Sequence, residues 1–152
     1  MKRNKKVLPI IYVLIFGVLM FVSSEAFPAY DYNLKYSWLA SPIAFIIGMV
    51  IIGISGYQFR KVSTTVNPLT PDKTSKLVVM GLYRYSRNPM YVGFLLFLIS
   101  AELLITNYVS LILLPLFIVV INRMQIQPEE KVLEELFGDE YRLYLKKVRR
   151  WL

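Results

Sequence analysis

The 152-residue chain contains no cysteine and no histidine. Without cysteine there is no disulfide, no thiolate metal site and no sulfur nucleophile. Without histidine the commonest metal ligand and the usual general base near neutral pH are gone, together with every serine–histidine arrangement. Charge is scarce too: 18% of the residues are charged and 56% are hydrophobic, with a mean hydropathy of +0.49. A soluble domain carries about 25% charged and about 45–50% apolar residues, so the excess apolar surface here calls for lipid to cover it. The length fits one domain, residues 1–152.

The apolar residues collect in four segments, which predict helices over about 7–23, 39–57, 89–105 and 108–124. A membrane span takes about 20 residues; the shorter segments call for flanking residues, tilt or a thinned bilayer. Basic residues sort sharply between them. Lys2, Arg3, Lys5 and Lys6 precede the first segment, and Arg60, Lys61, Lys73, Lys76, Arg84 and Arg87 separate the second from the third. Arg123, Lys131, Arg142, Lys146, Lys147, Arg149 and Arg150 follow the fourth, while Lys35 alone falls in the opposite loops. The positive-inside rule puts the basic loops and both termini in the cytoplasm. The expected fold is therefore all-α: a polytopic membrane protein of four transmembrane helices with cytoplasmic C-terminal amphipathic helices. The net charge of +8 reads as orientation and contact with anionic membrane lipids, not nucleic acid. A secretory signal peptide is the competing reading of Lys2–Lys6, the apolar run and Ser24-Glu25-Ala26. That run is long for the role, and cleavage would remove the cytoplasmic N-terminus.

In the first loop, Tyr30, Tyr32, Tyr36 and Trp38 form an interfacial aromatic belt. Helix two is expected to start near Ser41-Pro42, with serine as cap. Gly48, Gly53 and Gly56 are expected to admit a neighbouring helix. The segment 58–88 is long and carries apolar anchors at Leu77-Val78-Val79 and Leu82-Tyr83, with Pro68 and Pro71 in its first half; long loops are usually functional or disordered. Glu102 falls about 20 Å along helix three from Pro89, beside a polar turn, which favours a solvated helix end over an intramembrane functional carboxylate. Pro115 is expected to kink helix four. In the tail, Val132, Leu133, Leu136 and Phe137, then Tyr141, Tyr144, Leu145 and Val148, make an apolar stripe. Gly138 ends its first helix and Asp139 can cap the next.

Chemistry-bearing residues gather at one level. Tyr83, Arg84, Arg87, Asn88 and Tyr91 belong to the entry of helix three, and Arg123, Glu129 and Glu130 to the exit of helix four. Because helices three and four form a hairpin, these ends meet. On physical grounds the cluster is either an interfacial pocket or a snorkelling basic rim balanced by glutamates.

The stretch Leu77-Val78-Val79-Met80-Gly81-Leu82-Tyr83-Arg84-Tyr85-Ser86-Arg87-Asn88-Pro89-Met90-Tyr91-Val92-Gly93 resembles the signature of the isoprenylcysteine carboxyl methyltransferase and phospholipid methyltransferase superfamily. The tail pattern Glu129-Glu130-x-x-Leu133-x-x-x-Phe137-Gly138-x-x-Tyr141-x-x-Tyr144 resembles it as well. The resemblance implies a prokaryotic-type membrane enzyme that uses S-adenosyl-L-methionine, with the cofactor pocket closed by the C-terminal segment. Its implied cofactor-binding residues are Ser75, Lys76, Leu77, Val78, Tyr83, Asn88, Pro89, Met90, Tyr91, Glu129 and Glu130. The implied acceptor is lipophilic, a prenylated carboxylate first, with a phospholipid amine or a small thiol as alternatives. Methyl transfer needs alignment more than a base, which suits a chain without histidine. Two positions depart from the pattern. Asn88 stands where the carboxyl methyltransferases more often have histidine, and Gln125 stands where they have an arginine that grips the substrate carboxylate. Either Arg123 acts catalytically from a shifted place or the acceptor is not a carboxylate. A sterol-reductase-type enzyme with a nicotinamide cofactor and a non-enzymatic packing subunit are the rival readings.

Overall fold

The computed structural model describes residues 8–62 and 76–152. The basic residues Lys2, Arg3, Lys5 and Lys6, the prolines Pro68 and Pro71, Lys73 and the candidate Ser75 lie outside the described residues. Among the described residues the chain is helical, with two isolated backbone bridges and no strand. The helices are α1 (Pro9–Ala26), α2 (Ser37–Val62), α3 (Pro89–Ile105), α4 (Tyr108–Leu111), α5 (Leu113–Ile121), α6 (Gln127–Phe137) and α7 (Asp139–Lys147). A π-helical turn, Asn122–Ile126, joins α5 to α6. Three runs are long and apolar enough to cross a membrane: Pro9–Ala26, Ser37–Val62 and Tyr108–Phe137. At 17 residues α3 is shorter, about 26 Å at 1.5 Å per residue.

The core is built around α3. From α1, Val13, Phe16 and Met20 face inward at helical spacing while Leu14, Val18 and Phe21 stay exposed. Phe16 meets Phe117 of α5 edge-on at 5.3 Å between ring centroids, and Tyr91, Phe94, Leu98, Ile121 and Ile126 complete the cluster. On α2, Ile43, Ile46 and Val50 are exposed, the apolar surface that lipid would cover. Gly48 and Gly93 let α2 and α3 approach until a Cβ at either position would lie 2.9 Å from the other's carbonyl oxygen. Ser41 and Ser100 hydroxyls each donate to the other residue's carbonyl at 2.9 Å, tying the same two helices.

Several expectations change. Helix two starts at Ser37, so Pro42 lies inside it and Ser41 serves the α2–α3 contact instead of a cap; the chain turns earlier, at Tyr36, which takes a φ of 66°. Gly53 and Gly56 face open space, because the helical repeat leaves only Gly48 of the three toward α3. Near Pro115 the helix breaks at Ile112, one turn upstream, where proline removes the amide that would bond Leu111. The expected gap between helix four and the tail is absent: the run continues through the π-turn to Phe137. Asp139 does not cap α7; its carboxylate accepts from Arg142 at 3.2 Å.

Glu102 is not a solvated helix end. It is 3% exposed and accepts from the Tyr32 hydroxyl (3.0 Å), the Ser110 hydroxyl (2.5 Å) and the Asn107 amide (3.3 Å). Asn107 in turn caps α4 and donates to the Phe27 carbonyl and to Asp31. This network joins the first loop to the α3–α4 turn, at the end of the bundle opposite the entry of α3.

Candidate functional site

The site begins at a glycine. Gly81 has a φ of +61°, and a Cβ there would collide with the side-chain amide of Gln58 at the end of α2. Gln58 Oε1 accepts the Leu82 amide at 3.0 Å, so the Gly81–Arg84 turn is fixed to α2 and sends Tyr83 inward. Tyr83 is buried, and its carbonyl accepts the Tyr144 hydroxyl of α7 at 2.7 Å. Burial, then Tyr144 and the Glu129 carboxylate, push the Tyr83 phenol above its ordinary value, so it stays neutral.

Helix α3 opens at Pro89, which has no amide proton to leave unsatisfied. In its first turn, the buried Tyr91 hydroxyl donates to both Glu129 oxygens, each at 3.1 Å. Glu129 sits in the first turn of α6, where the helix dipole favours an anion. The buried Tyr83 and Tyr91 and the half-buried Glu129 thus form one aromatic and anionic wall. Val78 and Pro89 are buried, Leu77, Asn88 and Met90 are half-buried, and Lys76 is exposed.

Glu130 does something else. It accepts from Arg87 Nη1 at 3.2 Å and from Arg150 Nε and Nη2 at 3.1 and 2.7 Å. The Asn88 side chain donates to the Arg150 carbonyl at 2.9 Å. Both residues are tied to the 149–151 segment in this arrangement. Arg87 Nε is buried and makes no hydrogen bond to the described residues. Burial and the Glu130 charge also push the Tyr141 phenol up, tempered by Arg87.

The π-turn sets the last group. Its extra residue rephases the helix, leaving Gln125 4% exposed and Ile126 in the core while Arg123 is exposed. Arg123 is therefore not gathered with Tyr91 and Glu129. The chain's reading missed Gln58, Tyr144, Arg150 and Trp151. Of these, Tyr144 appeared only as part of the tail's apolar stripe and Arg150 only among its basic residues, and nothing marked Gln58 or Trp151.

A family model described as phospholipid methyltransferase matches residues 36–140. The chain belongs to this family. The match runs from the start of α2 into α7 and includes every candidate position. Protein-S-isoprenylcysteine O-methyltransferase of Schizosaccharomyces pombe is 31% identical over 124 residues, 80% of this chain and 52% of the relative. The protein of that name from Saccharomyces cerevisiae is 32% identical over 141 residues, covering 84% and 55%. Methanethiol S-methyltransferase of Pseudomonas deceptionensis is 30% identical over 107 residues, covering 66% and 39%. The chain spans about half the length of the two isoprenylcysteine relatives. No solved structure gives a significant match. With these relatives and its long apolar helices, the phospholipid methyltransferase family member described here is an integral membrane protein.

Proposed function

We propose that this chain is a single-domain, membrane-embedded methyltransferase that binds S-adenosyl-L-methionine at Tyr83, Tyr91 and Glu129. The observation that carries this reading is the hydrogen bond from the buried Tyr91 hydroxyl to the half-buried Glu129, beside Tyr83. A carboxylate flanked by aromatic rings suits a sulfonium and an ammonium, by charge and by cation–π attraction. The buried Arg87 Nε, with hydrogen-bonding capacity to spare, suits the carboxylate end of the same molecule. An amphoteric cofactor fits both.

Bound there, S-adenosyl-L-methionine would supply an activated methyl group for in-line displacement. The chain's residues orient and exclude. Glu129 opposes the cationic centre, Tyr91 fixes the Glu129 carboxylate, and Leu77, Val78 and Met90 keep water from the apolar side. No residue needs to remove a proton if the acceptor arrives as a carboxylate or thiolate, and alignment supplies most of the acceleration.

In this reading four helices span the bilayer, α3 among them, and both termini are cytoplasmic. The cofactor then enters from the cytoplasm and a lipophilic acceptor from the bilayer. The family resemblance favours an isoprenylcysteine-type carboxylate. A second reading, a small thiol or another acceptor that needs no cationic grip, is favoured by the buried, uncharged Gln125 and the outward Arg123. The likeness to a methanethiol S-methyltransferase is in keeping with it. Methyl transfer from labelled cofactor into membrane lipid extracts, prenylcysteines and small thiols tests both. Labelling of prenylcysteine carboxylate supports the first acceptor and labelling of thiols the second; no labelled product in any fraction contradicts the activity.

A further inference from the structure

The segment Arg149–Trp151 lies beyond the region that matches the family model, yet it is bound on three sides. Its backbone runs beside the loop that leads into α3: Ser86 bridges Arg149, the Arg87 amide donates to the Arg149 carbonyl at 3.0 Å, and Asn88 Nδ2 donates to the Arg150 carbonyl at 2.9 Å. Its guanidinium holds Glu130 in the first turn of α6. Its indole donates to Asn122 Oδ1 in the π-turn at 3.0 Å and packs against the core.

These three anchors bracket the Tyr91–Glu129 pair. Asn88 is the N-cap of α3, and its carbonyl accepts the amides of Tyr91 and Val92 at 3.0 and 3.2 Å. Glu130 is the neighbour of Glu129. Asn122 lies on the turn that sets the rotational phase of α6. The segment therefore ties together the backbone that carries Tyr91 and the backbone that carries Glu129.

We infer that Arg149–Trp151 is a clasp that positions Tyr91 against Glu129, with Arg150 and Trp151 as positioning residues for the methyl donor. This rests on the binding role proposed for Tyr91 and Glu129. The ion pairs give the clasp its direction. Arg150 donates two hydrogen bonds to Glu130, and Arg87 adds a third contact; such charge-assisted pairs are geometrically specific. They commit Glu130 to the clasp and leave the other carboxylate of the pair to face Tyr91. Loss of the clasp frees α3 and α6 to separate, and misplacement of about 1 Å costs about a hundredfold where alignment matters.

The test uses the full chain in detergent micelles with two readouts. The first is amide hydrogen exchange without ligand at Arg87, Tyr91 and Val92. The second is affinity for S-adenosylhomocysteine by calorimetry, on Arg150→Ala, Arg150→Lys and Trp151→Phe. The expected result is faster exchange at all three amides in Arg150→Ala, with affinity weakened about tenfold to a hundredfold, the range usual for coupled sites. Arg150→Lys should recover part of both, and Trp151→Phe, which keeps an aromatic ring but loses the donor and part of the indole's packing, should give a smaller loss in the same direction. Unchanged exchange overturns the clasp whatever the ligand does. Faster exchange with wild-type affinity overturns its positioning role while the binding site stands. Wild-type exchange patterns as expected but no binding by the wild-type chain overturns the binding role itself, and with it the positioning claim. Should Arg150→Ala fail to fold, the same comparisons are decided on Trp151→Phe.

Discussion

The two ends of the bundle are built on the same pair of groups and use it differently. At one end the Tyr32 hydroxyl donates to Glu102 at 3.0 Å; at the other the Tyr91 hydroxyl donates to Glu129 at 3.1 Å. Around Glu102 the further donors are the Ser110 hydroxyl and the Asn107 amide, all parts of the turn that the pair closes. Around Glu129 the arginines Arg87 and Arg150 bind the next residue, Glu130. A tyrosine–glutamate pair is therefore a lock when its neighbours are donors from one turn. It becomes a candidate site when cations are held one residue away and aromatic rings line it. The neighbours decide.

The comparison breaks most visibly in paired substitutions. Glu129→Ala should abolish measurable affinity for S-adenosylhomocysteine and lower the unfolding midpoint less than Glu102→Ala does, since it orphans one buried donor, the Tyr91 hydroxyl. Glu102→Ala should do the reverse, since each buried donor it orphans costs about 1–3 kcal/mol, and calorimetry alongside a melting curve in detergent separates the two. If Glu102→Ala instead weakens binding with stability kept, the division of labour between the ends is wrong. Next in size is Gly81→Ala. It forces a side chain into a left-handed backbone position and against Gln58, a strain of about 1–2 kcal/mol before the clash. It should lower the unfolding midpoint and weaken binding together, because Tyr83 moves with the turn.

Alkaline pH loosens both ends. Burial pushes Tyr144 up to about 12, and burial with the Glu102 hydrogen bond pushes Tyr32 up to about 12, from an ordinary 10.0. Both phenols are protonated longer in the folded state, so their contribution is complete below pH 10 and is lost as pH rises to about 12. Unfolding midpoints measured across that window should fall, and Tyr144→Phe should flatten the part owed to the site end. The smallest effect belongs to the helix contact between the ends. Ser41→Ala removes one of the reciprocal hydroxyl bonds to Ser100 and should cost about 0.6 kcal/mol in the membrane, read as a small drop in midpoint with unchanged ligand affinity.

Much of this architecture was legible in the residues. Apolar segment length located four helical runs, three of them long and apolar enough to cross a membrane, since a spanning backbone in lipid must satisfy its own hydrogen bonds. Pro89 marked the start of α3 and Gly138 the end of α6. The gathering of Tyr83, Tyr91 and Glu129 followed from the hairpin alone. What the sequence hid depends on rotational phase and on contacts distant along the chain. The π-turn that turns Gln125 in and Arg123 out leaves no compositional mark. Glu102 read as wet because its partners, Tyr32 and Ser110, lie 70 and 8 residues away. The ion pair of Glu130 with Arg150 stayed hidden because nothing near Glu130 in sequence announces an arginine 20 residues on.

The most direct test of the central claim is calorimetric titration of the detergent-solubilised full chain with S-adenosylhomocysteine, run beside Glu129→Gln and Glu102→Gln. The account predicts saturable binding by the unsubstituted chain, loss of about tenfold or more for Glu129→Gln, as expected when a charged hydrogen-bonding partner is removed, and wild-type affinity for Glu102→Gln. No binding by a folded wild-type chain, or equal losses at both glutamates, would contradict it.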